Sequence, residues 1–554
     1  MPRPTISPEK QAIIHEAYER LRETGATIGE AHSIIEAIHG IPERTQRRYL
    51  KRAKSFDNAI EHADELIEEN KTVLKRTSPE TTPKSVRKTY ILTGWEIRVK
   101  PDAAFIECLK QLSQEYDAEL MLVPCYLPDL EFLPSELAAD FTILDNDFEF
   151  NENLIFKYVE THALAQSPLQ AWQGAFPSKS AIIPGLVREL VTESSNHLAK
   201  QIMSCGSIGR LDAAETDYSQ FSSEDDEDTL SREFKKRWRG ITNRSRRNGR
   251  VTAIARNYTV PSALIVDVID AKLFFTRYVS MPHHGQTVLF DLDRVYDCEF
   301  STPAPSEPAG LVLGDMHIYN RDQSAYDAAL KMIEFFQPEQ VVLNDFCDGV
   351  SANHHEKDSA IKFHNAPPIT VEIEETKRHL DEICKLSNGV IYLQSNHDNF
   401  FEKYLDAGEN YWRMNCNYNT AIELQQWRAE TGLPCIVKLL ELDDISNLKF
   451  ISEKDNYYIA DVLVKHGHEG KSGKQVSFKA LALTYNFYAD AHGHSPVVYR
   501  NAVRTGTNSN LKPSYACGAS GWLAANTVIQ PDSSIQLLSV IYGESILDYL
   551  KREK

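Results

Sequence analysis

The sequence has no run of about twenty apolar residues, the length a helix needs to cross a lipid bilayer. Its first residues, Met-Pro-Arg-Pro-Thr, carry no apolar signal core. No membrane role is expected. It also lacks any Cys-x-x-Cys pair, and its nine cysteines, an odd number, read as reduced thiols in a cytoplasm. No internal repeat and no long low-complexity tract appear. Excess positive charge is missing too: the formal net charge is −19 over 554 residues, and a uniformly acidic surface repels nucleic acid at long range. The basic residues are clustered rather than spread, however, and bound metal ions offset charge where they sit.

What is present is a series of short apolar runs, each ending in polar residues able to bind metal. Leu311–His317 reads Leu-Val-Leu-Gly-Asp-Met-His, a buried-strand pattern that stops at Asp315 and His317. Gln340–Leu343 ends in Asn344-Asp345-Phe346-Cys347-Asp348-Gly349, and between the two runs Tyr326–Phe336 has apolar residues at helical spacing. Gly389–Leu393 ends in Ser395-Asn396-His397-Asp398 after a second helical stretch, Ile373–Leu386. Ile459–Val464 ends in His466-Gly467-His468, and Phe487–Ala489 in Ala491-His492-Gly493-His494. Ligands of open α/β sheets bind at the carboxyl ends of strands, so these groups are expected to gather on one edge.

This ordered series resembles the calcineurin-like metallophosphoesterase superfamily, over about residues 310–542. The resemblance implies that Asp315, His317, Asp345 and His494 hold one metal ion. Asp345, Asn396, His466 and His492 would hold the other, with Asp345 bridging. It further implies a catalytic role for His397, an orienting carboxylate in Asp398, and a place for Asp348 at the end of the second motif. Asn344, Ser395 and Ala491 stand where the family usually has glycine, so the turns are expected to differ while every ligand position is kept. The cofactors implied are two divalent ions per chain, manganese first, with iron, zinc or magnesium as alternatives.

The chemistry explains the residue types in its own right. Two cations about 3.5–4 Å apart clamp a phosphate, lower the pKa of a bridging water and stabilise the leaving oxygen. Holding them that close needs a shared carboxylate, and a mixed imidazole, carboxylate and amide set suits manganese, iron or zinc. His397, left out of ligation, can act as general acid toward the departing oxygen. The bland alternative is a set of scattered surface histidines. It serves for any one of them and poorly for five motifs in order. His354 and His355 read as loop residues, and His468 as a supporting residue rather than a ligand.

The rest of the chain is less explicit. Residues 1–70 read as a small helical domain of helix-turn-helix outline, whose last helix carries Arg44, Arg47 and Arg48; DNA contact and a docking module with a solvated face are both open. Residues 71–87, rich in Lys, Thr, Ser and Pro, read as a linker. Residues 88–300 begin β-α-β, with a strand at Lys88–Thr93, a helix at Phe105–Tyr116 and a strand at Ala118–Pro124, and are expected to form an α/β middle domain. Within it, Glu224–Asp228 is wholly acidic, and Arg232–Arg250 holds Lys235, Lys236, Arg237, Arg239, Arg244, Arg246 and Arg247 around Trp238. That suits contact with a nucleic-acid backbone, or a solvated loop pairing with its acidic neighbour. Residues 301–309 read as a second linker, and 310–554 as the catalytic domain. The fold class expected is α/β: a C-terminal metallophosphoesterase β-sandwich flanked by helices, preceded by the middle and helical domains.

Three functions compete on these grounds. A metal-dependent DNA nuclease, similar to the SbcD-type branch of the superfamily, comes first; the chain as a whole also resembles early DNA-degrading proteins of T-five-type bacteriophages. That likeness implies host DNA as substrate and the bacterial cytoplasm as the place of action. A phosphatase or phosphodiesterase acting on proteins or nucleotides comes second, and a non-catalytic DNA-binding scaffold third. A homo-oligomer is expected, because nucleases of that branch are often dimers.

Overall fold

The structure is a computed structural model that describes residues 87–97, 99–159, 167–195, 198–211, 259–300, 302–353, 366–407, 416–468, 477–512 and 518–550. The chain divides between Ser85 and Val86, and every described residue belongs to the second unit. The helix-turn-helix reading of residues 1–70, the acidic and basic segments of 224–250, and His354 and His355 lie outside the described residues.

The class is mixed α/β. A six-stranded sheet runs in the order Leu448–Ile451, Val390–Leu393, Val341–Leu343, Gly310–Val312, Ala524–Ile529, Ile535–Val540. Its first four strands are parallel and its last two antiparallel. The parallel strands are apolar throughout because both faces are covered. Leu311, Val341, Leu343 and Tyr392 pack with the helices Gln323–Phe336 and Ile369–Leu386 on one face. Val312, Val342, Ile391 and Leu393 face the other way.

The first of those helices starts because the Asp322 carboxylate caps the amides of Ser324 and Ala325, and it stops at Gln337, in left-handed conformation ahead of Pro338. Its buried residues Ala325, Ala329, Met332, Ile333 and Phe336 recur at helical spacing.

The opposite face of the sheet meets a ten-stranded sheet, with Val464, Ala489, Val498 and Val503 in the same core cluster. That sheet runs Tyr457–Ile459, Val462–Val464, Tyr488–Asp490, Ala502–Arg504, Val497–Tyr499, Glu189–Glu193, Lys200–Ser204, Ser180–Ile183, Leu154–Phe156, Phe148–Asn151. It therefore mixes strands from either side of residues 301–309, joined where Val497–Tyr499 pairs with Glu189–Glu193. The stretch read as a second linker holds a short strand, Ala304–Pro305, paired with Arg294–Asp297. A five-stranded sheet built around Lys88–Trp95 adds Leu92, Val266 and Leu264 to the shared core.

One expected strand is corrected. Ile459–Val464 is not continuous: Tyr457–Ile459 and Val462–Val464 form a hairpin that turns at Ala460, whose φ of 48° no strand residue adopts. The described cysteines are all free thiols. Among the described residues no helix is long and apolar enough to cross a membrane.

Candidate metal centre

The centre lies where the carboxyl ends of both sheets meet. Asp315 and His317 follow Gly310–Val312, Asp345 and Asp348 follow Val341–Leu343, and Asn396 and His397 follow Val390–Leu393. From the ten-stranded sheet, His466 follows Val462–Val464, and His492 and His494 follow Tyr488–Asp490. The loops are tied together by backbone bonds, with the amides of Met316 and His317 donating to the carbonyls of Asn344 and Asp345 at 3.0 and 2.8 Å. Asn344 donates its Nδ2 to the Leu313 carbonyl at 3.1 Å and so links the first two strand ends.

Three overlapping groups of side chains result: two share Asp345, and a third brings His317, Asp348 and His397 together. Asp315, His317, Asp345 and His494 place one ligand atom each within 4.8 Å of one another, and so do Asp345, His466 and His492. Asn396 joins the second group through its Oδ1, 2.9 Å from His466 Nε2, which itself stands 3.2 Å from Asp345 Oδ2. In the first group His494 Nε2 is 3.1 Å from Asp315 Oδ2 and 3.3 Å from His317 Nε2. Asp345 is common to both.

The donor set fits metal. Asp345 Oδ1 is buried without a hydrogen-bond partner. Leaving such an atom bare costs about 1–3 kcal/mol, a penalty that ligation would remove. The backbone carries strain as well. His317, Asp345, His492 and His494 have φ of 41°, 38°, 52° and 54°, a region where non-glycine residues cost about 1–3 kcal/mol each and which clusters at functional sites.

Charge follows from the packing. Burial opposes the imidazolium of His317, but the Asp348 carboxylate 3.1 Å from its Nδ1 prevails, and the pKa rises to about 9. The same contact fixes the tautomer that leaves Nε2 toward the first group. Burial also opposes charge on Asp345, yet His466 and His397 hold its pKa well below the usual carboxylate range. Burial and the neighbouring His466 bring His492 down to about 4.

His397 stands beside the first group. Its ring meets that of His317 edge-on at 4.7 Å between centroids, and its Nδ1 donates to the Asp348 carbonyl at 2.7 Å. The Asp348 carboxylate is 3.9 Å from the same nitrogen. The orienting group is therefore Asp348, and the expectation for Asp398 is corrected. Asp398 turns away, accepting from the Tyr392 hydroxyl and the Ser395 amide, both at 2.8 Å. Those two bonds brace the loop, and burial lifts its pKa to about 7. His468 enters neither group and bonds Glu453 at 3.0 Å.

Several supports were not visible in the sequence. Glu372, buried in the helix Ile369–Leu386, accepts the amides of Val350 and Ser351 at 2.9 and 2.8 Å and so holds the loop that carries Asp348. Asp490 takes a two-pronged hydrogen bond from Arg504, both contacts at 2.7 Å, just ahead of His492. Only glycine fits between these parts at two places. A Cβ on Gly467, at φ 99°, would lie 2.7 Å from Asp490 Oδ2, and one on Gly349, at φ 65°, 2.9 Å from the His397 carbonyl. A carboxylate on the apolar stripe of Ile369–Leu386 was the one available hint to Glu372.

Compared with protein-family patterns and with curated proteins, the chain has no match.

Proposed function

We propose that the chain is a phosphodiesterase of the calcineurin-like metallophosphoesterase type, using two divalent metal ions to hydrolyse DNA. The observation that carries this reading is the pair of buried ligand groups sharing Asp345, with an imidazole beside them that joins neither set of four. When bound, two ions held by these groups would supply charge for a phosphate and acidity for a water. Manganese is the first candidate, given the imidazole, carboxylate and amide donors. The residues do the rest. His397, anchored through Nδ1, presents Nε2 for proton transfer; burial holds its pKa below the usual value, and an anionic phosphate alongside favours its charged form. Asp348 fixes the rings of both His317 and His397.

The choice of DNA rests on the sequence: the chain that carries the candidate metal centre also carries Arg44, Arg47 and Arg48 and the basic run around Trp238. Likeness to the SbcD-type branch and to early phage proteins extends it to degradation of host DNA. The test is digestion of linear and circular duplex DNA with manganese, magnesium or chelator, beside Asp345→Ala. Manganese-dependent digestion lost in the variant supports the reading. Hydrolysis of a small diester but not of DNA moves it to a nucleotide or protein substrate, and activity retained in Asp345→Ala places the chemistry elsewhere.

A further inference from the structure

A cleft opens beside the metal centre, between the end of Leu448–Ile451 in one sheet and the His466–His468 loop of the other. Part of its wall is apolar and aromatic: Leu393, Ile451, Val464, Leu481 and Tyr485, the last stacked on Tyr488 at 5.5 Å with 16° between rings. Its polar members include Glu453, Asp455, Lys465 and His468. Glu453 Oε2 takes hydrogen bonds from His468 at 3.0 Å and Asn399 at 2.8 Å, while Oε1 takes none among the described residues. Lys465, also in the wall, donates from Nζ to the Glu453 carbonyl at 3.2 Å. The route from the centre is short, because the His468 ring lies 5.2 Å from that of His466 and 6.0 Å from that of His492.

We propose that this cleft binds a nucleobase of the substrate strand, next to the phosphate being cleaved. The inference rests on the hydrolytic reading above and adds to it the group that is recognised. Glu453 and Asp455 outnumber Lys465 among the Asp, Glu and Lys side chains of the cleft, which disfavours a second phosphate. A flat ring suits the apolar walls and the Tyr485 face, since base–aromatic stacking tolerates every base. The free Glu453 oxygen accepts an N–H from the base edge, as carboxylates do from cytosine amino groups. Hydrolysis then depends on the base flanking the phosphate as well as on the phosphate.

The experiment measures kcat/KM with manganese for the wild type, Tyr485→Leu and Glu453→Gln. The substrates are p-nitrophenyl phosphodiesters of deoxycytidine, through its 5′ or its 3′ oxygen, and methyl p-nitrophenyl phosphate, which keeps the leaving group and has no base. The wild type is expected to prefer at least one nucleoside ester over the methyl ester by about tenfold or more, the scale of one stacked base. Tyr485→Leu should lose most of that preference and Glu453→Gln part of it, with methyl ester hydrolysis unchanged in both. No preference in the wild type, or equal loss on all substrates in the variants, overturns the nucleobase site while leaving the hydrolase intact. A wild type inert toward every ester overturns the nucleobase site, and one inert toward DNA as well overturns the hydrolytic reading with it.

Discussion

Asp345 has the strained backbone, the orphaned carboxylate oxygen and the shared position at once. Around it, protonation is set by neighbours, which gives metal binding a definite pH dependence. His317 in the metal-free protein holds its proton up to about pH 9, and a metal ligand must be deprotonated. Metal binding near neutrality should therefore release a proton from His317, and affinity should rise about tenfold per pH unit for each proton displaced. Burial opposes charge on His466 too, but Asp345 raises its pKa, which works in the same direction. Titration calorimetry in buffers of different ionisation enthalpy measures the release, and an affinity flat between pH 6.5 and 8.5 would contradict it. His397→Ala separates the roles: turnover should fall by about 10²–10⁴ with metal content by elemental analysis unchanged. Loss of an ion would make His397 a ligand.

At the scale of elements, the loop after Val341–Leu343 depends on one buried side chain. Glu372→Ala would leave the amides of Val350 and Ser351 without their acceptor, a loss of about 2 kcal/mol readable by urea denaturation. Glu372→Gln keeps an acceptor and should recover part of it. Burial raises the Glu372 pKa above the ordinary glutamate value. Its contribution to stability therefore declines as pH rises through that value, where the unfolded chain ionises first, and Gln should flatten the decline. A loss under 0.5 kcal/mol in the alanine variant would mean the loop stands by other means. The strand ends that deliver ligands were legible because central parallel strands are short, apolar and sharply bounded; Val341–Leu343 and Val390–Leu393 fall within the runs read from the sequence. Angles were not legible. Order along the chain placed Asp398 beside His397, but only the turn at Ser395 shows its carboxylate facing away. The hairpin at Ala460 escaped for a similar reason, since an apolar run does not reveal a reversal.

At the scale of the whole molecule, pairing between distant segments leaves no local trace in a sequence. Residues 301–309 have a linker's composition, yet strands before and after them share a sheet and a core. Residues 302–554 alone would lose one of the two strands paired with Val497–Tyr499, and the cover from Leu92, Leu190, Met203 and Leu264. Each such apolar side chain is worth about 1.5–3 kcal/mol, and a domain has only about 5–15 to lose. That fragment should show no cooperative urea transition; a sharp one with an m-value fitting its size would prove the two halves separable.

The candidate ligands are divided between the two sheets, Asp315, His317, Asp345 and Asn396 on one and His466, His492 and His494 on the other. Any ion held there is a rivet through the seam of the sandwich. Prying the layers apart would mean drawing the rivet, so the protein's lifetime under heat or protease would follow the rate at which metal leaves. A cell starved of that metal would carry a softer copy, removed sooner.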